Sequence, residues 1–387
     1  MRFLFQTIAL LFFHSSQAQD ASEFAAIDSK MDEIPSELTQ TTAEISAYIN
    51  SNFTSESDKI RAAFYWTASN ISYDVANMLN IPKNLTSSEK ITTALSSRKG
   101  VCMHYSEVFA SITVQLGIPT VLIEGYTKNK GKVDSVSHVW CAALINNKWS
   151  LYDPTWGAGY VNDQKYYKKL NNIYFNTNPK ELILNHMPFD YIWQLLEYPI
   201  NNQEFYDGKT IGSNTAESID FHAEIAKFIK LEKKEKSIAF LARIKKSGLI
   251  NNLISERCEL LEKEIESYNQ NEKGAFFMSI VENMNATSLQ YNEYVKFRNN
   301  QFVPIVSDSE LKGKTQKLLA QINQCESDIN SLENVNKDNI QNLNSLKKAI
   351  SDLKKLIVEQ DVFVNDYVSK EPAERPKMFV KTIIKRR

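Results

Sequence analysis

Gly100-Val101-Cys102-Met103-His104-Tyr105-Ser106 reads as a turn that runs straight into a helix. The spacing predicts that this helix continues to about Leu116. Val108, Phe109, Ile112 and Leu116 keep a 3.6-residue period, and Gly117 and Pro119 then follow as stop signals. Strand signals come next. Thr120 to Tyr126 is β-branched and apolar, and Asn129-Lys130-Gly131 turns the chain. His138 to Ile145 and Trp149 to Tyr152 bracket Asn146-Asn147, a good two-residue hairpin turn. One long helix followed by antiparallel strands predicts an α+β layer, not a βαβ repeat.

A cysteine at a helix N-terminus is where a thiol becomes a thiolate, because the helix dipole and the free backbone N–H groups favour negative charge. Cys102 is therefore the candidate nucleophile. His138 would be its general base and then acid, and Asp153 the group that orients the imidazole and supports its cation. The hairpin supplies an independent check. With Asn146-Asn147 as the turn, Ile145 pairs with Lys148, Trp140 faces Asp153, and His138 faces Thr155. His138 and Asp153 then lie diagonally on one face, within reach of each other. A one-residue slip would separate them. A histidine cation and a helix start can lower a thiol from about 8.5 to ~3–4. The oxyanion formed on attack needs donors: the backbone N–H of Cys102 is one, and a side chain from Trp66 to Tyr73 is another candidate.

The local pattern resembles a known family. Arg98-Lys99-Gly100-Val101-Cys102, His138-Val139-Trp140 and the block Trp149-Ser150-Leu151-Tyr152-Asp153-Pro154-Thr155-Trp156-Gly157 are similar to the motifs of transglutaminase-like domains, and most to the kyphoscoliosis-peptidase-like branch. Two flanking stretches add to it: Asp58-Lys59-Ile60-Arg61 through Tyr73-Asp74, and Tyr174-Phe175 through Trp193-Gln194-Leu195-Leu196. The resemblance spans roughly residues 30–205. It implies a papain-like α+β core with Cys102, His138 and Asp153 as a triad, and an activity that hydrolyses amide bonds or transfers an acyl group from glutamine to an amine. Two positions depart from the family pattern. His104 stands where a small residue is common, and Cys141 where asparagine is common. Around a helix His104 points about 200° away from the nucleophile, and Cys141 lies on the face opposite His138, as a core residue would.

The rest of the chain frames this domain. Arg2, the apolar run Phe3 to Phe13 and Ser16-Gln17-Ala18 read as a cleavable signal peptide over residues 1–18, which predicts a secreted or periplasmic protein. No later stretch approaches a membrane span. The catalytic domain is assigned to residues 19–205, with its last 45 or so residues (160–205) as a covering segment. After about Asn201 glycine nearly disappears and lysine, glutamate, asparagine and leucine dominate, predicting an all-α region over 206–305. Leu318, Ile322, Cys325, Ile329 and Leu332, then Leu343, Leu346, Ile350, Leu353 and Ile357, follow a 4/3 spacing broken at Asn334 to Asn339. That predicts an antiparallel, coiled-coil-like helical hairpin over 306–370, ahead of a basic tail at 371–387.

Composition narrows the function classes. The 43% hydrophobic and 11% aromatic content of the 387 residues is that of a chain with a real core. A net charge of −1 gives no reason to expect nucleic acid as a partner. No histidine and cysteine spacing suits zinc and no acidic loop suits calcium, so neither a metal nor a cofactor is expected. His186 and His222 read as structural, and Cys258 and Cys325 as either a disulfide or core positions. The sequence thus predicts an exported cysteine enzyme that acts on amide bonds of proteins or peptides through a Cys102 thioester, hydrolysis being preferred. The alternatives are a protein-crosslinking transamidase and an inactive envelope scaffold. The C-terminal helices are expected to bind a protein partner.

Overall fold

Capped helices lead into the sheet. α1 (Ala25–Asp32) is followed by α2 (Thr42–Asn52) and α3 (Glu56–Asn70). Thr41 and Glu44 exchange side-chain and backbone bonds at the start of α2, and Ser55 Oγ accepts the Asp58 N–H at the start of α3. Each bond satisfies a donor that a helix start leaves unpaired. The computed structural model describes residues 23–80, 82, 85–209, 218–332 and 340–379. The expected signal peptide (1–18), the break at Asn334–Asn339 and residues 380–387 of the basic tail lie outside them.

The chain then forms β1 (Ser72–Tyr73), α4 (Ser87–Ser97), β2 (Lys99–Gly100) and α5 (Cys102–Gln115). β1 and β2 pair in parallel. The helix predicted from Cys102 is present at the expected length, stopped at Gly117, whose φ of 81° suits glycine. β3 (Thr120–Asn129), β4 (Lys132–Ile145) and β5 (Lys148–Tyr152) follow as antiparallel neighbours. Asn146 and Asn147 both have positive φ, 49° and 62°. That is the backbone a tight two-residue hairpin turn demands. The predicted register holds, from Ile145↔Lys148 through Cys141↔Tyr152. The ladder stops at that last pair, however. Asp153 leaves the strand to cap α6 (Pro154–Ala158) and is not paired with Trp140.

The covering segment does more than cover. After the small hairpin of β6 (Gly159–Asn162) and β7 (Lys165–Lys168), three residues form β8 (His186–Pro188). β8 joins the free edge of β3, with Gly125↔Pro188 and Thr127↔His186, giving the sheet order β5-β4-β3-β8. Period-two alternation then sorts β4 between two cores. Cys141, Ala143 and Ile145 pack with Ile45, Phe64, Phe109 and Ile112 of the helices, while Trp140 and Ala142 pack with Ile123, Leu151, Ile192 and Trp193.

Helices α7 (Phe221–Phe228) and α8 (Lys233–Ser247) and the first turns of α9 (Asn252–Asn299) continue on this unit. Ile244, Ile254, Cys258 and Leu261 share a core with Tyr126, Met187, Phe189 and Phe205. The chain divides into two compact units, one ending at Glu264 and the other starting at Ile265, so the boundary falls within α9. In the second unit α10 (Asp308–Ser331) and α11 (Ile340–Ser369) bury Leu318, Ile322, Cys325 and Ile329 against Leu346, Ile350, Leu353 and Ile357. Thr315 binds Asp361 near one end and Lys354 pairs with Glu326 further along, so the two helices run antiparallel. All four cysteines are free thiols. Among the described residues no helix is long and apolar enough to cross a membrane.

Candidate active site

Cys102 is the first residue of α5, half-buried, and follows a fully extended Val101. Two bonds fix the helix that carries it. Tyr105 Oη donates to the Ile71 carbonyl at 2.8 Å, and Ser106 Oγ to the Val139 carbonyl of β4 at 2.9 Å. His104 serves the helix as well: its Nδ1 accepts the Val101 N–H at 3.2 Å. Gly100 makes this possible, because a Cβ there would lie 2.5 Å from His104 Cβ. Cys141 is fully buried, with Sγ directed at the Ser106 carbonyl, and stays in the core as its strand parity predicts.

The other two sequence-predicted residues meet directly. His138 Nε2 lies 2.7 Å from Asp153 Oδ2. Cys102 shares a cleft wall with His138 and acts electrostatically on its imidazole; with Nε2 taken by the carboxylate, Nδ1 is the nitrogen left for the thiol. Asp153 is completely buried and has four donors. Oδ1 accepts the N–H groups of Thr155 and Trp156 at 2.8 and 3.0 Å, and Oδ2 accepts from His138 and also from His186 Nε2 at 2.9 Å. His186, expected to be structural, is brought onto the carboxylate by β8.

Residues 43–154 match the family described as the transglutaminase-like superfamily, a span that contains Cys102, His138 and Asp153. The match covers these residues alone, under a third of the chain. Kyphoscoliosis peptidase of Mus musculus is 30% identical over 39% of this chain and 24% of its own length. Kyphoscoliosis peptidase of Homo sapiens is 27% identical over 49% of this chain and 29% of its own. Hillarin of Drosophila melanogaster is 24% identical over 48% and 24%. The chain therefore spans less than a third of the length of these curated relatives, and the matched family region stops short of His186.

The electrostatics of the site follow from burial and pairing. Burial alone would push the His138 imidazole down, but the Asp153 carboxylate and the Cys102 side chain outweigh it and hold His138 up at about 10. Burial likewise opposes charge on Asp153, yet His138 and His186 keep its carboxyl well below the usual carboxylate range. His186 is pushed down by burial, assisted by the nearby His138, against the pull of Asp153. Aromatic rings enclose the pair of imidazoles. Trp140 stacks on His138 at 5.9 Å between centroids, and Trp156 meets His186 edge-on at 4.6 Å.

Cys102 and His138 open onto a cleft of about 800 Å³ whose walls include Tyr73, Asp134, Trp156, Tyr160 and Tyr166. Tyr73 belongs to the segment expected to supply an oxyanion donor. Its hydroxyl is held far above the usual phenol range by burial and then by the charges of Cys102 and Asp153, so it stays a donor. Cys102 and Met103, as the first two helical residues, have N–H groups with no intrahelical acceptor.

Among the described residues, His138, Asp153 and His186 form a group whose ligand atoms lie within 4.8 Å of one another, close enough for a metal ion. Their separation in sequence hides this from any search for zinc spacing. The two short N–H···O contacts already account for the closeness. An ion there would have to take the nitrogen by which His138 holds Asp153.

Proposed function

We propose that this protein is an exported cysteine enzyme that cleaves amide bonds of proteins or peptides through a Cys102 thioester. The observation that carries the reading is the His138–Asp153 bond of 2.7 Å, with Cys102 at a helix start in the same cleft. The Cys102 thiolate attacks the amide carbonyl carbon, and the displaced electron pair moves onto oxygen. The Cys102 N–H and the Tyr73 hydroxyl, both from residues lining the cleft, are the donors assigned to that oxyanion. On collapse the C–N bond breaks, and His138 gives its proton to the leaving amine. Water then attacks the thioester, His138 takes a proton from it, and the thiolate departs. The peptidase names of the mammalian relatives support hydrolysis.

One observation favours a second reading, transamidation. Asp134 is the carboxylate on the cleft wall, bound on one oxygen by Thr127 Oγ1. Such a group attracts a protonated lysine side chain towards the thioester. For the helical C-terminal region, the heptad-like seam is closed between α10 and α11, so a protein partner would be held on other faces of these helices.

Mass spectrometry of full-length protein with glutamine-containing peptides tests the reading. Wild type should gain the mass of an acyl group and Cys102→Ala should not. Loss of the adduct to water points to hydrolysis, and loss to an added labelled amine points to transfer. Absence of any adduct across acceptor-free peptides would leave the scaffold alternative as the better reading.

A further inference from the structure

His186 is 1% exposed, lies 33 residues from Asp153 in sequence, and comes from a strand of three residues. Its Nε2 shares Oδ2 of Asp153 with His138 Nε2, at 2.9 and 2.7 Å. The other oxygen is filled by two backbone N–H groups. Trp156, Trp140 and Tyr174 pack around the ring, with centroids 4.6, 5.2 and 5.9 Å away, so it has one place to sit. The charged groups facing it are Asp153 by direct contact, His138 across the carboxylate, and Asp134 at longer range.

We propose that His186 is the fourth member of this site, a positioning residue whose Nε2–H holds Asp153 and tempers the basicity that Asp153 confers on His138. The proposal rests on reading Cys102, His138 and Asp153 as the reacting group. Nε2 faces a carboxylate, so that nitrogen carries the proton. Burial and the neighbouring His138 cation keep the ring neutral, which leaves Nδ1 as an acceptor. Asn185 Oδ1 lies 2.5 Å from Nδ1; an accepting Nδ1 requires the amide turned over, with its NH2 end in that place. A neutral donor is what the carboxylate needs, since a second cation would repel His138.

The effect on His138 has a definite sign. Each N–H bonded to a carboxylate favours its ionised form and lowers its affinity for protons. A carboxylate with fewer donors concentrates its charge on the remaining imidazole. His138 already titrates far above neutrality, whereas a group that must give its proton to a leaving amine works best near the operating pH. His186 draws it back in that direction.

The test is a titration of full-length protein with 15N-labelled histidine, followed by NMR in a Cys102→Ala background so that the thiol plays no part. His186 is expected as a neutral ring protonated on Nε2 from pH 6 to 9 (roughly the span in which a free histidine loses its charge). His186→Leu should raise the His138 titration by about one unit, and His186→Gln, whose amide can donate, should restore it. A His186 imidazolium or an Nδ1–H tautomer in the parent overturns the proposal, even if the leucine variant fails to fold. A His138 titration that stays or falls in His186→Leu overturns it too, since loosening alone would lower it. Iodoacetamide rates on wild type address the underlying reading separately. Reaction of Cys102 only above about pH 8, as for an ordinary thiol, removes the activated nucleophile and leaves the imidazole titrations to decide on His186.

Discussion

His104 Nδ1 accepts the N–H of Val101, the residue immediately before the candidate nucleophile. The acceptor half of a capping box normally comes from glutamate or glutamine three residues into a helix; here an imidazole provides it. His104→Ala should cost about 1 kcal/mol and His104→Gln should recover most of it. The bond also needs an unprotonated Nδ1. Burial, with help from Lys90, lowers the His104 pKa below the ordinary 6.5. Its contribution is thus fully present above pH 6.5 and is lost as pH falls through the depressed folded value. Denaturant melts at pH 5 and pH 8 check this: the Gln variant should lose less stability on acidification than wild type.

Gly125 is the point at which the strands of His138 and His186 meet, paired with His138 on one side and Pro188 on the other. A Cβ there would lie 2.2 Å from the Met187 carbonyl and 2.6 Å from the Trp140 ring. Backbone cannot yield as a flexible side chain can, so Gly125→Ala should destabilise by roughly 1–3 kcal/mol. It should also lower turnover, because β8 and its histidine are displaced. A variant that melts like wild type and keeps full activity would show that β8 need not sit this close.

These two residues mark the limits of what the chain's local pattern reveals. The β4–β5 register was readable because Asn146-Asn147 fixes a two-residue turn and strand alternation fixes the rest, and it carries the chain as far as Tyr152, next to Asp153. Asp153 itself departs from the strand, since Pro154 ends the ladder and starts a helix that the carboxylate caps. His186 was hidden for a different reason. A three-residue strand has no periodicity to detect, and its pairing with β3 is long-range, so only the tertiary fold places its ring on the carboxylate. His104 was visible as an oddity, but side-chain capping by imidazole is not among the usual helix-start signals.

Tyr73 lines the cleft beside Cys102, and its hydroxyl remains protonated throughout the useful pH range. Removing one preorganised oxyanion donor typically costs ~100-fold or more in turnover. Tyr73→Phe should therefore lower kcat by about that factor with little change in KM or in melting temperature. An unchanged kcat would assign the oxyanion to backbone donors alone.

Arg61 is fully buried and bidentate to Asp28, at 2.8 and 2.5 Å, with its third contact to Asn172 at 2.9 Å. Phe24 lies under the guanidinium at 4.4 Å. This ties α1 and the segment before β8 to α3. Removing one partner of a buried pair costs roughly 3–5 kcal/mol because the other charge is stranded, whereas replacing both by apolar residues is often nearly neutral. Arg61→Met should be strongly destabilising, and Arg61→Met with Asp28→Leu should recover much of the loss in a denaturant series.

The imidazoles also set how stability depends on pH. His138 is raised to about 10 in the fold from an ordinary 6.5. Its contribution is fully present below 6.5 and declines as pH rises through the folded value, because the unfolded chain gives up the proton first. His104 and His186 are lowered from the same 6.5, so their contributions are complete above that pH and are lost on acidification. The opposing slopes predict a stability maximum near pH 6.5. Replacing His138 by Gln removes the group responsible for the alkaline decline while leaving the acid side in place, so the maximum should move to higher pH. Free energies of unfolding measured from pH 5 to 10 in both proteins decide the matter: an alkaline slope that persists unchanged in His138→Gln would mean that His138 does not carry its proton in the folded state.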